Sequence, residues 1–295
     1  ISDISEKDTT KLNVLSENNK EQIEKLTETA IKNADASEES ADLIAKVVAN
    51  ASDELVNKVV EEVSKNSTDE NQALSAKVMK SIVETNPDKI ESLSDQNKET
   101  MISQTIKAAK NQAEGTSTDE IDLSNTIAEI ITKSDIGTAA EVLEILEDVS
   151  NESESKLSLS VVSNITKQEN YEEKMEILSV TSPIVEQNID KLVEKAVNDV
   201  SSEEDLELVT NIVENSKGTI ADKVINSGNN NEENKKKITE VIVNVIEKNP
   251  EKAVEIIEKN KNTNTILETV KTKIENNEAV TTDDFEEVFD TELTP

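Results

Sequence analysis

The side chains best equipped for chemistry in this 295-residue chain are its carboxylates. They are densest in Thr281–Asp290, where Asp283, Asp284, Glu286, Glu287 and Asp290 stand beside both phenylalanines, Phe285 and Phe289. Such a set reads as a calcium site or as a docking peptide. Calcium takes roughly six to eight oxygens from a shaped loop, and neither EF-hand spacing nor a turn glycine is present. The same residues read more simply as a terminal capping helix, with Thr282 as N-cap, acids in the first turn, and Phe285 and Phe289 closing the last core layer. The adjacent pairs Glu38-Glu39, Glu61-Glu62, Glu172-Glu173 and Glu203-Glu204 do not face one another across a cleft, as glycoside hydrolysis requires, and read as solvated helix faces. The one basic cluster, Lys235-Lys236-Lys237, reads as a partner for a neighbouring acidic face. Glycosylation-type sequons at Asn50, Asn66, Asn151 and Asn164 arise by chance in a chain so rich in Asn, Ser and Thr.

Composition excludes most other chemistry. The chain has no His, Cys or Trp, and all 31 of its basic residues are Lys. Ser-His-Asp and Cys-His catalysis are therefore impossible, and the usual ligands of zinc, haem and iron–sulfur clusters are missing. No Arg is present to clamp phosphate or carboxylate in two-point fashion. With 64 acidic residues the net charge is 31 − 64 = −33, which repels nucleic acid and anionic membranes. No apolar run is long enough to span a bilayer. The expectation is of no enzyme, no cofactor, no nucleic-acid partner, no membrane insertion and only diffuse cation binding. The start at Ile1 rather than Met suggests a piece of a longer protein.

The apolar fraction is only 34%, and low hydrophobicity with high charge is the signature of disorder. Periodicity argues the other way. Ile189, Leu192, Val193, Ala196, Val197 and Val200 fall at offsets 0, 3, 4, 7, 8 and 11, one face of an α-helix. Val56, Val59, Val60 and Val63 repeat the pattern, as do Ile238, Val241, Ile242, Val245 and Ile246. Polar clusters at 64–71, 114–119, 150–155 and 227–234 read as loops. Val and Ile are middling helix formers, so lateral packing must hold these helices.

The stripes recur. Two apolar residues, two further residues and then a small or polar one end the stripe at positions 18, 51, 86, 134, 182, 216 and 249, with spacings of 33, 35, 48, 48, 34 and 33. Three of the four prolines sit just after this position, as Asn86-Pro87, Ser182-Pro183 and Asn249-Pro250. Asn and Ser are good N-caps, Pro suits the first helical position, and Pro forces the preceding residue out of helix. Each pair is thus a hinge between helices. A period of 33–35 holds two helices and the 48-residue intervals hold three, read over 138–182 as Ala139–Ser150, Lys156–Lys167 and Tyr171–Thr181.

In period and pattern this array resembles the HEAT-like and tetratricopeptide-like α-solenoids. It lacks the Trp of the tetratricopeptide signature and the His of the ankyrin one. More distantly it is similar to the acidic repeat tracts of long FecR-domain-type bacterial envelope proteins, which implies an extracytoplasmic repeat region of a larger protein. The expected fold is all-α, a superhelical tandem array of helical hairpins over 1–280 with an acidic cap and tail over 281–295. The expected role is a non-enzymatic structural or protein-interaction scaffold or spacer. The competing expectation is self-assembly into a filament or surface layer.

Uncompensated charge also sets a solution property. The Debye length falls from ~30 Å at 0.01 M salt to ~10 Å at 0.1 M, so salt screens the self-repulsion of the folded state. The Tm measured by circular dichroism should rise with NaCl, and magnesium or calcium should act at lower concentration without a stoichiometric endpoint. A Tm indifferent to salt would show that the charges are locally compensated.

Overall fold

The computed structural model describes residues 20–34, 37–65, 69–114, 122–151, 156–216, 218–228, 230–259, 272–276 and 278–281. They carry fifteen main helices, and no strand occurs among them. The chain divides into two compact units, Ile1–Leu157 and Ser158–Pro295.

In the first unit the helices are α1 (Lys20–Lys32), α2 (Glu38–Asn50), α3 (Asp53–Ser64), α4 (Asp69–Thr85), the one-turn α5 (Asp88–Glu91), α6 (Asp95–Ala113), α7 (Leu123–Lys133) and α8 (Ile136–Asn151). They pack in two rows. In one row α1 lies against α3, α3 against α6 and α6 against α8; in the other α2 lies against α4 and α4 against α7. The Val56, Val59, Val60 and Val63 stripe of α3 is buried between these neighbours, with Met79 and Ile82 of α4 and Met101, Ile102 and Ile106 of α6. Small polar residues such as Ser75 and Thr105 share the interior. Thr105 spends its hydroxyl on the Met101 carbonyl one turn back, at 2.8 Å.

The second unit contains α9 (Leu157–Ile165, which begins at the boundary), α10 (Tyr171–Thr181), α11 (Pro183–Asn198), α12 (Glu203–Asn215), α13 (Thr219–Ser227), α14 (Glu232–Lys248) and α15 (Pro250–Lys259). Here α11 packs on α10, α13 and α14, and α12 packs on α13 and α14. The stripes on α11 and α14 are buried, except that Ile246 is only half-buried. Asn170, the residue before α10, takes the left-handed conformation at φ 57°, which Asn tolerates better than most residues.

The abundant Ser, Asn and Asp begin these helices. Ser37, Ser94, Asp122, Ser182, Ser202 and Asn231 each accept a backbone N–H of the first turn. Such a cap is worth ~1 kcal/mol over Ala. Three segments expected as loops are partly helical. Helix α8 runs on to Asn151, α4 already starts at Asp69, and α14 starts at Glu232 behind the Asn231 cap. The acidic first turns of α4 and α14 complement the helix dipole.

Position 18 lies outside the described residues; the other stripe-ending positions fall where helices stop. Ala51, Ser134, Ser216 and Asn249 are C-caps, and Asn86 and Ser182 directly follow α4 and α10. Two helices lie between Ala51 and Asn86, between Ser182 and Ser216, and between Ser216 and Asn249; three lie in each of the two longer intervals. Tyr171–Thr181 has the bounds read from sequence, while the other two helices of 138–182 are Ile136–Asn151 and Leu157–Ile165. The proposed 280/281 boundary has its C-terminal side, beyond Thr281, outside the described residues.

Polar side chains join helices roughly one interval apart. Asn57 on α3 accepts from Ser94 N–H at 2.6 Å and from Asn97 Nδ2 at 3.0 Å, and donates to Ser92 O at 3.0 Å. Ser81 donates to Asp42 at 2.6 Å, and Gln104 to Ser64 O at 3.1 Å. Glu91 of α5 accepts from Lys98, Thr138 and the Asp135 N–H, which ties α5 and α6 to the start of α8. In the second unit Lys223 pairs with Asp190 and Lys248 with Glu207. Apart from Lys98 to Glu91, which are 7 residues apart, these inter-helix bonds span between 33 residues (Lys223 to Asp190) and 47 residues (Thr138 to Glu91).

Asn57 both donates and accepts in these clasps. Its replacement takes the acceptor from the Ser94 N–H and one of two from the Asn97 amide, which keeps the Asn57 carbonyl at 2.9 Å, at ~1 kcal/mol per lost bond. Asn57→Ala should lower unfolding stability by ~1–3 kcal/mol in urea titration. An unchanged midpoint would mean that water replaces the clasp without loss.

Candidate functional site

The carboxylates singled out from sequence do not converge. Asp283, Asp284, Glu286, Glu287 and Asp290 lie outside the described residues, as do Thr282 and both Phe. Of the acidic pairs, Glu203 and Glu204 are both exposed in the first turn of α12. Glu61 is exposed, but its neighbour Glu62 is buried and lies between Lys58, at 3.5 Å, and Lys65. Glu172 accepts the Tyr171 hydroxyl at 3.0 Å, and burial pushes that phenol up to about 12. Among the described residues no three potential ligands gather closely enough to hold a metal ion. No described helix is long and apolar enough to cross a membrane.

The three Pro pairs differ in detail. Ser182 is an extended N-cap whose hydroxyl accepts from Ile184 N–H at 3.2 Å, with Pro183 the first residue of α11. Asn249 ends α14 and its side chain accepts from Lys252 N–H at 3.1 Å in the first turn of α15, which Pro250 opens. After Asn86, Pro87 starts only the single turn of α5. Ile90 and Leu93 are buried there, and Ser94 then caps a fresh helix.

Two grooves run between neighbouring helices. In the second unit a groove of about 910 Å³ lies between α12 and α14, with Leu206 and Val243 half-buried along it and Glu203, Glu207, Glu233 and Glu240 on its walls. Its two lysines are both engaged: Lys237 pairs with Glu233 at 3.0 Å and Lys248 with Glu207 at 3.3 Å. In the first unit a groove of about 600 Å³ between α3 and α6 holds the Asn57–Asn97 clasp, with Glu54, Glu61, Lys58 and Lys65 around it. Neither gathers a nucleophile with a base.

The most unusual electrostatics are at the corner between α11 and α12, which sequence reading passed over. The Asp199 side chain is 4% exposed and holds Lys195 Nζ at 2.7 Å, one turn back on the same helix. Its other oxygen is buried without a hydrogen-bond partner. Lys237, the last of the basic cluster, reaches across from α14 to the Asn198 carbonyl at 3.2 Å and satisfies the end of α11. Asp205 on α12 accepts the Ser201 and Ser202 N–H groups, closing a capping box with Ser202. The local signals were present as a Ser-x-x-Asp box at 202–205 and a Lys–Asp pair four apart at 195–199, but only packing buries them. Burial pushes the Asp199 carboxyl above the usual range, against the pull of Lys195. Burial raises Glu141 likewise, with Lys98 opposing and Glu99, Asp95 and Glu144 adding to it. Conversely, Lys65 beside Glu61 holds that carboxyl low.

The sign of the pH dependence follows. A carboxyl raised on folding binds its proton more readily in the native state, so stability grows as pH falls through its raised folded pKa toward the ordinary carboxylate value. Glu61 works in the opposite sense, and its contribution is lost as pH falls below the ordinary carboxylate range. Thermal melts should therefore show Tm rising as pH is lowered toward the ordinary carboxylate range and falling below it. Asp199→Asn should reduce that rise. An equal rise in the variant would assign the effect to the net charge rather than to this buried acid.

No family model matches the chain, and comparison with curated proteins finds no match.

Proposed function

We propose that this chain is a tandem array of helical hairpins serving as a non-enzymatic acidic scaffold or spacer, whose helix faces are offered to protein partners. The observation that carries the reading is the coincidence of sequence and contact periods. Helix ends recur at 51, 86, 134, 182, 216 and 249, and the longer-range polar clasps join residues 33 to 47 positions apart, beside shorter ones such as Lys98 to Glu91 at 7. The row packing of α1–α3–α6–α8 and α2–α4–α7 supports the same reading, since each helix meets the next member of its own row. In such an array a unit contacts only its neighbours, and exposed helix faces form an extended surface. The extreme acidity keeps that surface soluble in saline surroundings and supports an extracytoplasmic setting within a larger protein.

Ile242 is buried on α14, which packs on α12, α13 and α15 and more lightly on α11, while α10 packs on α11 and α13. Ile242→Ala should cost ~2–5 kcal/mol. Hydrogen exchange should rise most in α12–α15 and leave α10 and the first unit protected. Loss of protection across the whole second unit together, α10 included, would mean a globular bundle with one shared core and would overturn the array.

A further inference from the structure

We propose that the corner between α10 and α11 is a docking knob for a protein partner whose apolar pocket is edged with Lys or Arg; this rests on the scaffold reading above. Helix α10 is apolar on two faces. Tyr171, Met175 and Leu178 are buried against the second unit, yet Ile177 is 37% and Val180 79% exposed on the other side. Just across Pro183, Ile184 is 66% exposed. An amphipathic helix needs only one apolar stripe, and one that is apolar all round is ordinarily covered. In a chain with so few apolar residues to spare, three large ones exposed within eight positions form an anomaly.

Pro183 fixes φ at the first position of α11, and the Ser182 hydroxyl accepts the Ile184 N–H at 3.2 Å. The backbone of the corner is thus restricted before any partner arrives, which lowers the ordering cost of binding.

Charge selects the occupant. Glu173 and Glu176 are exposed and lie one helical turn from Ile177 and Val180 respectively. The nearest basic residue on α10, Lys174, is half-buried and already engaged. A second copy of this chain would bring another −33 charges and the same two acids to the contact. Nucleic acid and anionic lipid are repelled for the same reason. A basic-edged apolar pocket complements both the knob and its rim.

The probe is an 18-residue amphipathic peptide with a Leu face and a Lys face, titrated into the full chain by calorimetry, with a Leu/Glu peptide of the same pattern as control. The Leu/Lys peptide should bind and the Leu/Glu peptide should not. Val180→Ser/Ile184→Ser leaves the charge unchanged and touches only exposed side chains, so its helical content should stay the same and its Kd should weaken at least tenfold. Glu173→Gln/Glu176→Gln should weaken binding and flatten its salt dependence. Undiminished binding to the serine variant would show diffuse charge attraction alone and overturn the knob. Wild-type self-association in sedimentation, abolished by the same serine variant, would also overturn it by making a second copy the occupant. Either result leaves the hydrogen-exchange test of the array untouched, so the two readings fail separately.

Discussion

Most of the described helices carry an apolar stripe too thin to be stable by itself. Val and Ile make most of these stripes, and neither favours helix strongly. Each helix is short and flanked by charge, so an isolated one would melt. Stability therefore rests on lateral burial: Val56, Val59, Val60 and Val63 of α3 are hidden only because α1, α4 and α6 lie beside them. The near absence of aromatics follows, because thin layers between helices are filled by small aliphatic side chains and need no large ones. It also accounts for buried Ser and Thr, such as Ser75 and Thr105, which bring helices close while returning their hydroxyls to nearby carbonyls.

The same constraint governs the charge. With 64 acids against 31 lysines, roughly half of the carboxylates have no possible ionic partner in the chain. The lysines are used where they serve two ends at once. Lys98 joins Glu91 and Thr138, Lys237 joins Glu233 and the end of α11, and Lys248 joins Glu207 and Asn211. Exposed pairs of this kind contribute only ~0–1 kcal/mol each, so they set register between helices more than they add stability. Acids left unpaired cover the outer faces, which explains why an exposed apolar cluster at Ile177, Val180 and Ile184 stands out against its surroundings.

Function follows from what such a surface can and cannot do. The grooves between α12 and α14 and between α3 and α6 are walled by carboxylates and amides whose cations are spoken for. Asp199 spends one oxygen on Lys195 and buries the other, which suits a structural corner. Binding between macromolecules is the activity that we propose this chemistry serves.

The helices themselves were legible in the chain because their determinants are local. Offsets of three and four residues, Ser or Asn caps and three prolines lie within a few residues of what they control. Tyr171–Thr181 and the helix ends at Ala51, Ser134, Ser216 and Asn249 could therefore be read directly. Local rules misjudged the starts of α4 and α14, where acidic residues resemble loop but complement a helix dipole. They also missed the break after α5, where burial of Ile90 and Leu93 and the Ser94 cap halt the helix that Pro87 begins. Tertiary structure decided which stripes meet, where the chain divides at Leu157 and Ser158, and that Glu62 and Asp199 are buried while Val180 and Ile184 are not. The physical reason is that burial is a property of neighbours tens of residues away. Periodicity says which face of a helix wants to be covered, and only the packed chain determines what covers it.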